Sequence, residues 1–428
     1  MVIMLVVTRE TTTTEKAQQR AKIRPKAGRL GMAATTALIA LLSMAPALAT
    51  DMYLPALPAM TSDLATTEGM ATMTVTVFFV ALAVGMLIVG TVSDARGRQP
   101  VIIVCSAVTG VLCVVAMFAT DVGVLIFVRA IQGFAAGGMC ALATSLVKDC
   151  FEGHQMDVVM SVVQTAGFLA PTLAPLIGAA ILQFASWRGV FVVLAVLMLV
   201  SLLGTVALGE TLPPEQRQAQ DIKAAFGGLV EIARTRSLRT LTLGSGFALM
   251  SFMPYLGVAS FVYQSYFGLN EAGFGVMFAL ASIIGAAGPM VYLKTINCSL
   301  DKMMLLAIAI ETLGAILMLT VASSHFIVFF CCMMPCLFIT GVMKPRVATT
   351  MLNRSTVDAG ATSSALNFAH SVIGSAGMVA VSLIVWTDQI HALGFIILAF
   401  AVLAWFFWLP ARKKILPELE SPGLESHE

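Results

Sequence analysis

The sequence predicts an all-α integral membrane protein, with twelve transmembrane helices in two six-helix halves. Three observations carry this reading. Of the 428 residues, 58% are apolar and 11% charged, with a mean hydropathy of +0.92, against about 25% charged in an ordinary soluble domain. The apolar residues are gathered into blocks of about 20, each long enough to cross ~30 Å of hydrocarbon as a helix. The basic residues lie at the ends of those blocks, in alternate connections. A soluble enzyme, a nucleic-acid binder and a disordered scaffold all need more polar surface. Alternation in ~10-residue segments is absent, which excludes an outer-membrane barrel.

Residues 1–29 are Thr-rich and basic, and their opening Met1–Val7 is too short for a signal-peptide core with a cleavage site. They read as a disordered cytoplasmic arm; a start codon assigned too early reads the same way. Twelve spans follow near 31–59, 70–90, 101–119, 122–146, 158–184, 189–208, 240–262, 274–293, 303–322, 325–344, 361–385 and 391–410. Gly and Pro within them do not break the assignment, because neighbouring helices satisfy the freed backbone groups. The first six form an N-terminal bundle over 30–208 and the last six a C-terminal bundle over 240–411. Between them lies a cytoplasmic loop, 209–239, with GETLPPEQRQ and then a basic amphipathic stretch from Ile222 to Ser237. A cytoplasmic tail, 412–428, ends the chain. Two six-span halves around a central path is the plan of a secondary transporter.

With the N-terminus inside, 23 of the 25 Lys and Arg residues fall on the cytoplasmic side, as the positive-inside rule requires. Arg188 lies outside and Arg129 within a span. An odd number of spans breaks this partition, so both termini are cytoplasmic. The eight cysteines are too sparse for a disulfide framework. Cys150 and Cys298 fall in loops; Cys105, Cys113, Cys140, Cys331, Cys332 and Cys336 fall in apolar runs and read as packing.

Charges within spans form the functional shortlist, because each costs ~2.5–3.5 kcal/mol at mid-bilayer and faces a cavity or a partner. Asp51 stands first, in ATDMYLPALP. A carboxyl group withdrawn from water by a bundle can take up a proton on one side and release it on the other. Pro55 and Pro58 leave its depth open: span one either stops near Thr50, making Asp51 interfacial, or continues through Leu54–Met60. Arg129, in LIFVRAIQG, keeps its charge; it either tunes the proton-carrying acid of its half or anchors one helix to another. Glu311, in AIAIETLGA, joins them as a coupling candidate or pairs with a neighbouring polar residue. His370 reads as a capped histidine or a second proton site. Lys344, at the inner edge of span ten, can snorkel.

Four segments then carry a family resemblance. GTVSDARGRQP at 90–100 resembles the loop between spans two and three of the major facilitator superfamily, through Gly90, Asp94, Gly97 and Arg98. The resemblance implies a gating contact between the halves. Gly97 permits a tight turn, and Asp94 can cap or oppose a helix N-terminus. Ala95 and Gln99 replace residues that are basic in the family, and Arg96 supplies a charge from the next position. Leu125, Arg129, Gln132, Gly133 and Ala136 are similar to the span-four pattern whose Arg is tied to proton coupling. GFLAPTLAPLIGAA is similar to the span-five antiporter motif. Pro175 and Gly178 match it, and Ala170, Ala174 and Ala179 stand where Gly is common. Small residues still allow close helix approach.

ATDMYLPALPAM at 49–60, with ASWRGVF at 185–191 and GETLP at 209–213, resembles the Bcr/CflA group of drug:proton antiporters. The resemblance covers 31–213; the second half is matched by layout and by the segment from GFALMSFMPYLG to VYQSYFG. It implies alternating-access export of lipophilic drugs or small metabolites driven by the proton motive force, without a cofactor or metal, by a monomer in a bacterial inner membrane. Asp51 becomes the proton- and substrate-linked acid and Arg129 its electrostatic partner. Some multidrug members carry a further acid in span one; here that stretch is LLSMAPAL, with Ser43 and no carboxylate. A single dominant acid fits neutral or zwitterionic substrates. Phe78, Phe79, Phe252, Tyr255 and Tyr263 are candidate pocket linings, among 25 Phe and 26 Met.

Two rivals remain. One is a proton-coupled solute importer of the same fold, against which the span-five motif and the Asp-Met-Tyr-Leu-Pro segment argue. The other is an intramembrane enzyme, for which there is no Gly-x-Ser-x-Gly elbow, His-Glu-x-x-His or Walker motif. Nucleic acid is not an expected partner.

Overall fold

The computed structural model describes residues 30–217, 226–295, 298–357, 359–383 and 388–420. The N-terminal arm, eight residues of the central connection and the last eight of the tail lie outside them. Among the described residues twelve helices are long and apolar enough to span a membrane. They run Met32–Asp63, Glu68–Arg96, Arg98–Met117, Val122–Cys150, Gly153–Leu182 and Arg188–Leu208 in the first half. In the second they run Arg236–Tyr266, Glu271–Thr295, Leu300–Thr320, Phe326–Leu352, Gly360–Val381 and Gln389–Trp408. These are spans one to twelve.

Several helices outrun the apolar blocks that announce them. Span two continues to Arg96, span five begins at Gly153, and span ten runs eight residues past Lys344 to Leu352. A helix does not end where its side chains turn polar; it ends where its last carbonyls find other donors. Lys344 is therefore inside span ten rather than at its edge. The segment expected as loop up to residue 239 also folds further: Gly227–Arg234 is a helix, and span seven begins at Arg236.

The two halves repeat one packing scheme. Span one lies against four and five, two against four, and three against four and six. Spans seven to twelve repeat these pairings, seven against ten and eleven, eight against ten, and nine against ten and twelve. Glycines set the closest approaches. A Cβ at Gly133, Gly137 or Gly85 would collide with the backbone of the facing helix in the two–four pair, at Phe78, Leu82 and Phe134. A Cβ at Gly288 or Gly341 would do the same in the eight–ten pair. Dispersion between close backbones and small residues is what holds helices together in lipid, where water expels nothing.

Between the halves, span two meets eleven and span five meets eight. Apart from a mid-span bond between Ser282 and Pro171, the hydrogen bonds that join them gather at the end opposite the central connection. Thr72 donates to the Gly257 carbonyl at 3.0 Å, Ser260 to Leu54 at 2.6 Å and Gln264 to Pro55 at 3.1 Å. Gln389 bonds Glu68 in the same rim. The halves are thus closed against each other at that end.

The helix Gly227–Arg234 belongs to the second half. Glu231 accepts from the Thr356 N–H at 2.7 Å and its hydroxyl at 2.8 Å, and from Ser355, holding the helix against the turn between spans ten and eleven. Partial burial pushes the Glu231 carboxyl up, but the Ser355, Thr356 and Val357 donors outweigh it, so its pKa is lowered from the ordinary 4.5. A carboxyl lowered on folding stabilises the fold above its unfolded pKa and loses that contribution as pH falls through the folded value. Amide exchange of 227–234, corrected for intrinsic rates, is expected to stay constant from pH 7 to about 5 and to rise at lower pH; in Glu231→Gln it is fast throughout. Gly133→Ala is expected to lower the thermal stability of the detergent-solubilised protein, with a cost of roughly 1–3 kcal/mol for overpacking.

Candidate functional site

Span one stops being an α-helix at Asp51. Pro55 has no N–H for the Asp51 carbonyl, and Pro58 has none for Leu54. The chain tightens: Tyr53 N–H turns to the Thr50 carbonyl at 3.1 Å, and Leu54–Ala56 forms a 3-10 turn before Leu57–Asp63 resumes. In a continuous helix the Tyr53 N–H would bond Ala49. Its diversion frees the Ala49 carbonyl in the hydrocarbon, and Arg129 of span four donates to it from Nη1 at 2.9 Å.

Arg129 is wholly buried. Its Nη1 also lies 3.3 Å from Gln132 Oε1, and its guanidinium lies 4.3 Å above the Phe78 ring and 5.1 Å from the Tyr53 ring. Aromatic faces and a helix C-terminus are both attractive to a cation. Gln132 passes the contact on to the Cys113 thiol at 3.3 Å. Asp51, 5% exposed, occupies the last turn of the helix that Arg129 caps. Its Oδ1 accepts from the Thr50 hydroxyl at 3.0 Å, and it has no ion pair among the described residues. The depth left open by the sequence resolves to a buried carboxyl at a helix break, three residues from the Leu54–Ser260 bond between the halves.

Span seven is broken in the same manner, at Met250–Ser251. Pro254 cannot donate to Met250, which accepts from Met253 at 3.1 Å instead. Leu249 is left free, and Thr340 of span ten bonds it at 3.3 Å. Ser251, at the break, donates to Glu311 Oε1 of span nine at 2.9 Å. Glu311 is 1% exposed, and its Oε2 has no partner among the described residues. His370, also buried, shares a 3.1 Å hydrogen bond with Ser245 of span seven.

The segment around Gly97 is a tight intra-half junction. Gly97 takes φ +101° between spans two and three. Arg98 pairs with Asp94 at 2.5 Å and Asp149 at 3.1 Å, and donates to Ser93. Capping of span three falls to Glu210, not Asp94: its Oε1 accepts from the N–H of Arg98, Thr211 and Leu212 at 2.9–3.0 Å. Gly90 lies within span two. In span five, Ala170, Ala174, Pro175 and Gly178 are buried; a Cβ on Gly178 would strike the Met52 carbonyl. Pro175 leaves the Pro171 carbonyl without a donor, and Ser282 of span eight supplies one at 3.2 Å.

Of the five aromatics expected around a pocket, Phe78, Tyr255 and Tyr263 are packed instead, and Phe79 and Phe252 are half-buried. Phe78 lies on Arg129, with Phe79 edge-on to it at 6.0 Å. Tyr255 and Tyr263 are fully buried among Phe274, Phe278 and Phe329, and Phe252 borders the cluster. A cavity of about 480 Å³ lies elsewhere, in an apolar groove between spans three and six lined by Gly110, Val111, Val196 and Leu199.

Residues 39–378 match the family model of the Major Facilitator Superfamily. The chain belongs to that superfamily. It is a multi-pass membrane transporter and not an enzyme. It is 30% identical to YdgK, an MFS-type transporter of Bacillus subtilis, over 60% of this chain and 67% of that protein. It is 25% identical to a bicyclomycin resistance protein homolog of Haemophilus influenzae, over 66% of this chain and 72% of that protein. The fold is similar to a bacterial homologue of the lysosomal transporter Spinster, solved inward-facing and occupied. The TM-score is 0.70 at 16% identity, covering 91% of this chain and 98% of that one.

Arg129→Met would leave the Ala49 carbonyl unsatisfied in a dry site, at about 1–3 kcal/mol. Its thermal midpoint in detergent is expected to fall clearly. Arg129→Lys, which keeps a donor and a charge, is expected to recover part of the loss.

Proposed function

We propose that the protein exports lipophilic small molecules from the cytoplasm in exchange for protons, by alternating access, with Asp51 as the proton-carrying acid. The observation that carries this is the broken span one. It holds a buried carboxyl with no cation bonded to it among the described residues, on a helix end capped by Arg129, next to the contact that closes the halves. Arg129 acts on Asp51 through the helix end they share, by offsetting its negative pole, rather than through an ion pair. The resistance-protein relative and the small-residue span five support export over import.

The halves are closed at the end away from the central connection. With the positive residues inside, the seal lies on the outer side, as alternating access requires of a state that loads substrate from the cytoplasm. The proton motive force is the energy source: one proton crossing 100 mV and one pH unit releases about 3.7 kcal/mol. The membrane is a bacterial inner membrane, both termini are cytoplasmic, and the protein works as a monomer.

The test is efflux of a panel of antibiotics and dyes from inverted vesicles, wild type against Asp51→Asn. Uncoupler-sensitive transport that falls to background in Asp51→Asn is the expected result. Uncoupler-sensitive transport that survives would move the proton site to Glu311 or His370. Greater accumulation of a nutrient in expressing cells, without efflux of any panel compound, would favour the importer.

A further inference from the structure

Span ten carries one cation that the coupling site does not use. Cys331 and Pro335 are exposed on its lipid-facing side. At 100° per residue, Lys344 lies about 180° from Pro335 and about 140° from Cys331, yet it too is exposed. Its flanks fix where it points. One turn earlier, Thr340 touches Leu249 of span seven, and Gly341 meets Gly288 of span eight. Lys344 therefore projects between spans seven and eight, toward the axis between the halves. It stands eight residues, or about 12 Å, inside the end of the helix, on the open side of the seal.

No carboxylate answers it. Lys344 has no ion pair or hydrogen bond among the described residues. The acids that could serve are engaged elsewhere: Asp94 and Asp149 with Arg98, Glu210 with Arg217, and Glu231 with Thr356. Glu311 is sealed behind Ser251, on the side of span ten that carries Cys336. His370 is bound to Ser245 of span seven. An exposed lysine within a transmembrane span, with no acid bonded to it among the described residues, can hold an anion.

We propose that Lys344 is the headgroup site for an amphiphilic organic anion, a lipophilic carboxylate, which is the preferred substrate class of the exporter. This rests on the export reading above and replaces the neutral substrate that a single acid suggests. The apolar body lies along the facing spans. Exchange of one entering proton for one departing monoanion moves two charges inward, so the membrane potential drives it twice as steeply as export of a neutral compound.

The experiment compares dansyl-phenylalanine, an anion, with its neutral N-acyl methyl ester analogue in proteoliposomes bearing a pH gradient and a potential. Wild type is expected to transport the carboxylate with the lower KM. Lys344→Gln is expected to raise that KM about tenfold or more, as loss of a charge-assisted contact does, and to leave the ester within about twofold. Lys344→Arg restores the carboxylate. A Lys344→Gln that slows both probes equally, or neither, overturns the proposal while the exporter stands. If Lys344→Gln does not fold, the wild-type preference decides alone: a lower KM for the ester overturns the anion site. Absence of uncoupler-sensitive transport of both probes, with a panel of antibiotics also unmoved, sinks the export reading and this proposal with it.

Discussion

A backbone carbonyl without a donor cannot be left in hydrocarbon, and this protein frees several by placing prolines within its spans. Four of the oxygens freed at these breaks are rebonded by a side chain from another helix. Arg129 takes Ala49, Thr340 takes Leu249, Ser260 takes Leu54 and Ser282 takes Pro171. The first two bonds hold each bundle together around its broken helix. The last two join one bundle to the other. Helix breaks thus decide both how the halves are built and where they touch.

The same rule explains why the chemistry collects where it does. A straight helix keeps its carbonyls and offers nothing to a cation; a broken one presents a C-terminal pole in mid-membrane. That pole is what makes a buried Arg129 tolerable, and the ring faces of Phe78 and Tyr53 complete its surroundings. Asp51 sits on this pole and Ser251 on the corresponding break in span seven, with Glu311 behind it. The two halves share a construction and diverge in charge: a guanidinium caps one break and a hydroxyl the other.

Much of this was legible in the sequence, for a physical reason. Asp51, Arg129 and Glu311 interrupt apolar runs, and few residues do so without a partner. The number of spans and their grouping followed from block length and the placement of Lys and Arg. Pro55 and Pro58 announced the break in span one, but one Pro254 among apolar residues did not announce the break in span seven. The partners were not legible. Ala49, Leu249 and Pro171 act through their backbones, which leave no mark on side-chain chemistry. Glu210 reads as an ordinary loop acid until the fold brings it to the N-terminus of span three. Aromatic residues that fill a core have the same composition as those that line a pocket, so Tyr255 and Tyr263 could not be told apart from binding residues. Lys344 reads as the end of span ten, because a lysine at a helix end and a lysine inside a helix interrupt an apolar run in the same way.

The seal between the halves must also be able to open. Its bonds, from Thr72, Ser260, Gln264 and Gln389, end on carbonyls and a carboxylate that water can equally well satisfy once that side is hydrated. Exchanging a protein donor for water costs only about 0.5–1.5 kcal/mol per bond. That is the same scale as the energy one proton carries inward. A seal built from buried ion pairs would cost far more to separate, and one built from apolar contact alone would fix no register between the halves. Side-chain hydroxyls and amides on carbonyls and a carboxylate give a closure that is specific in geometry and weak enough to be reversed.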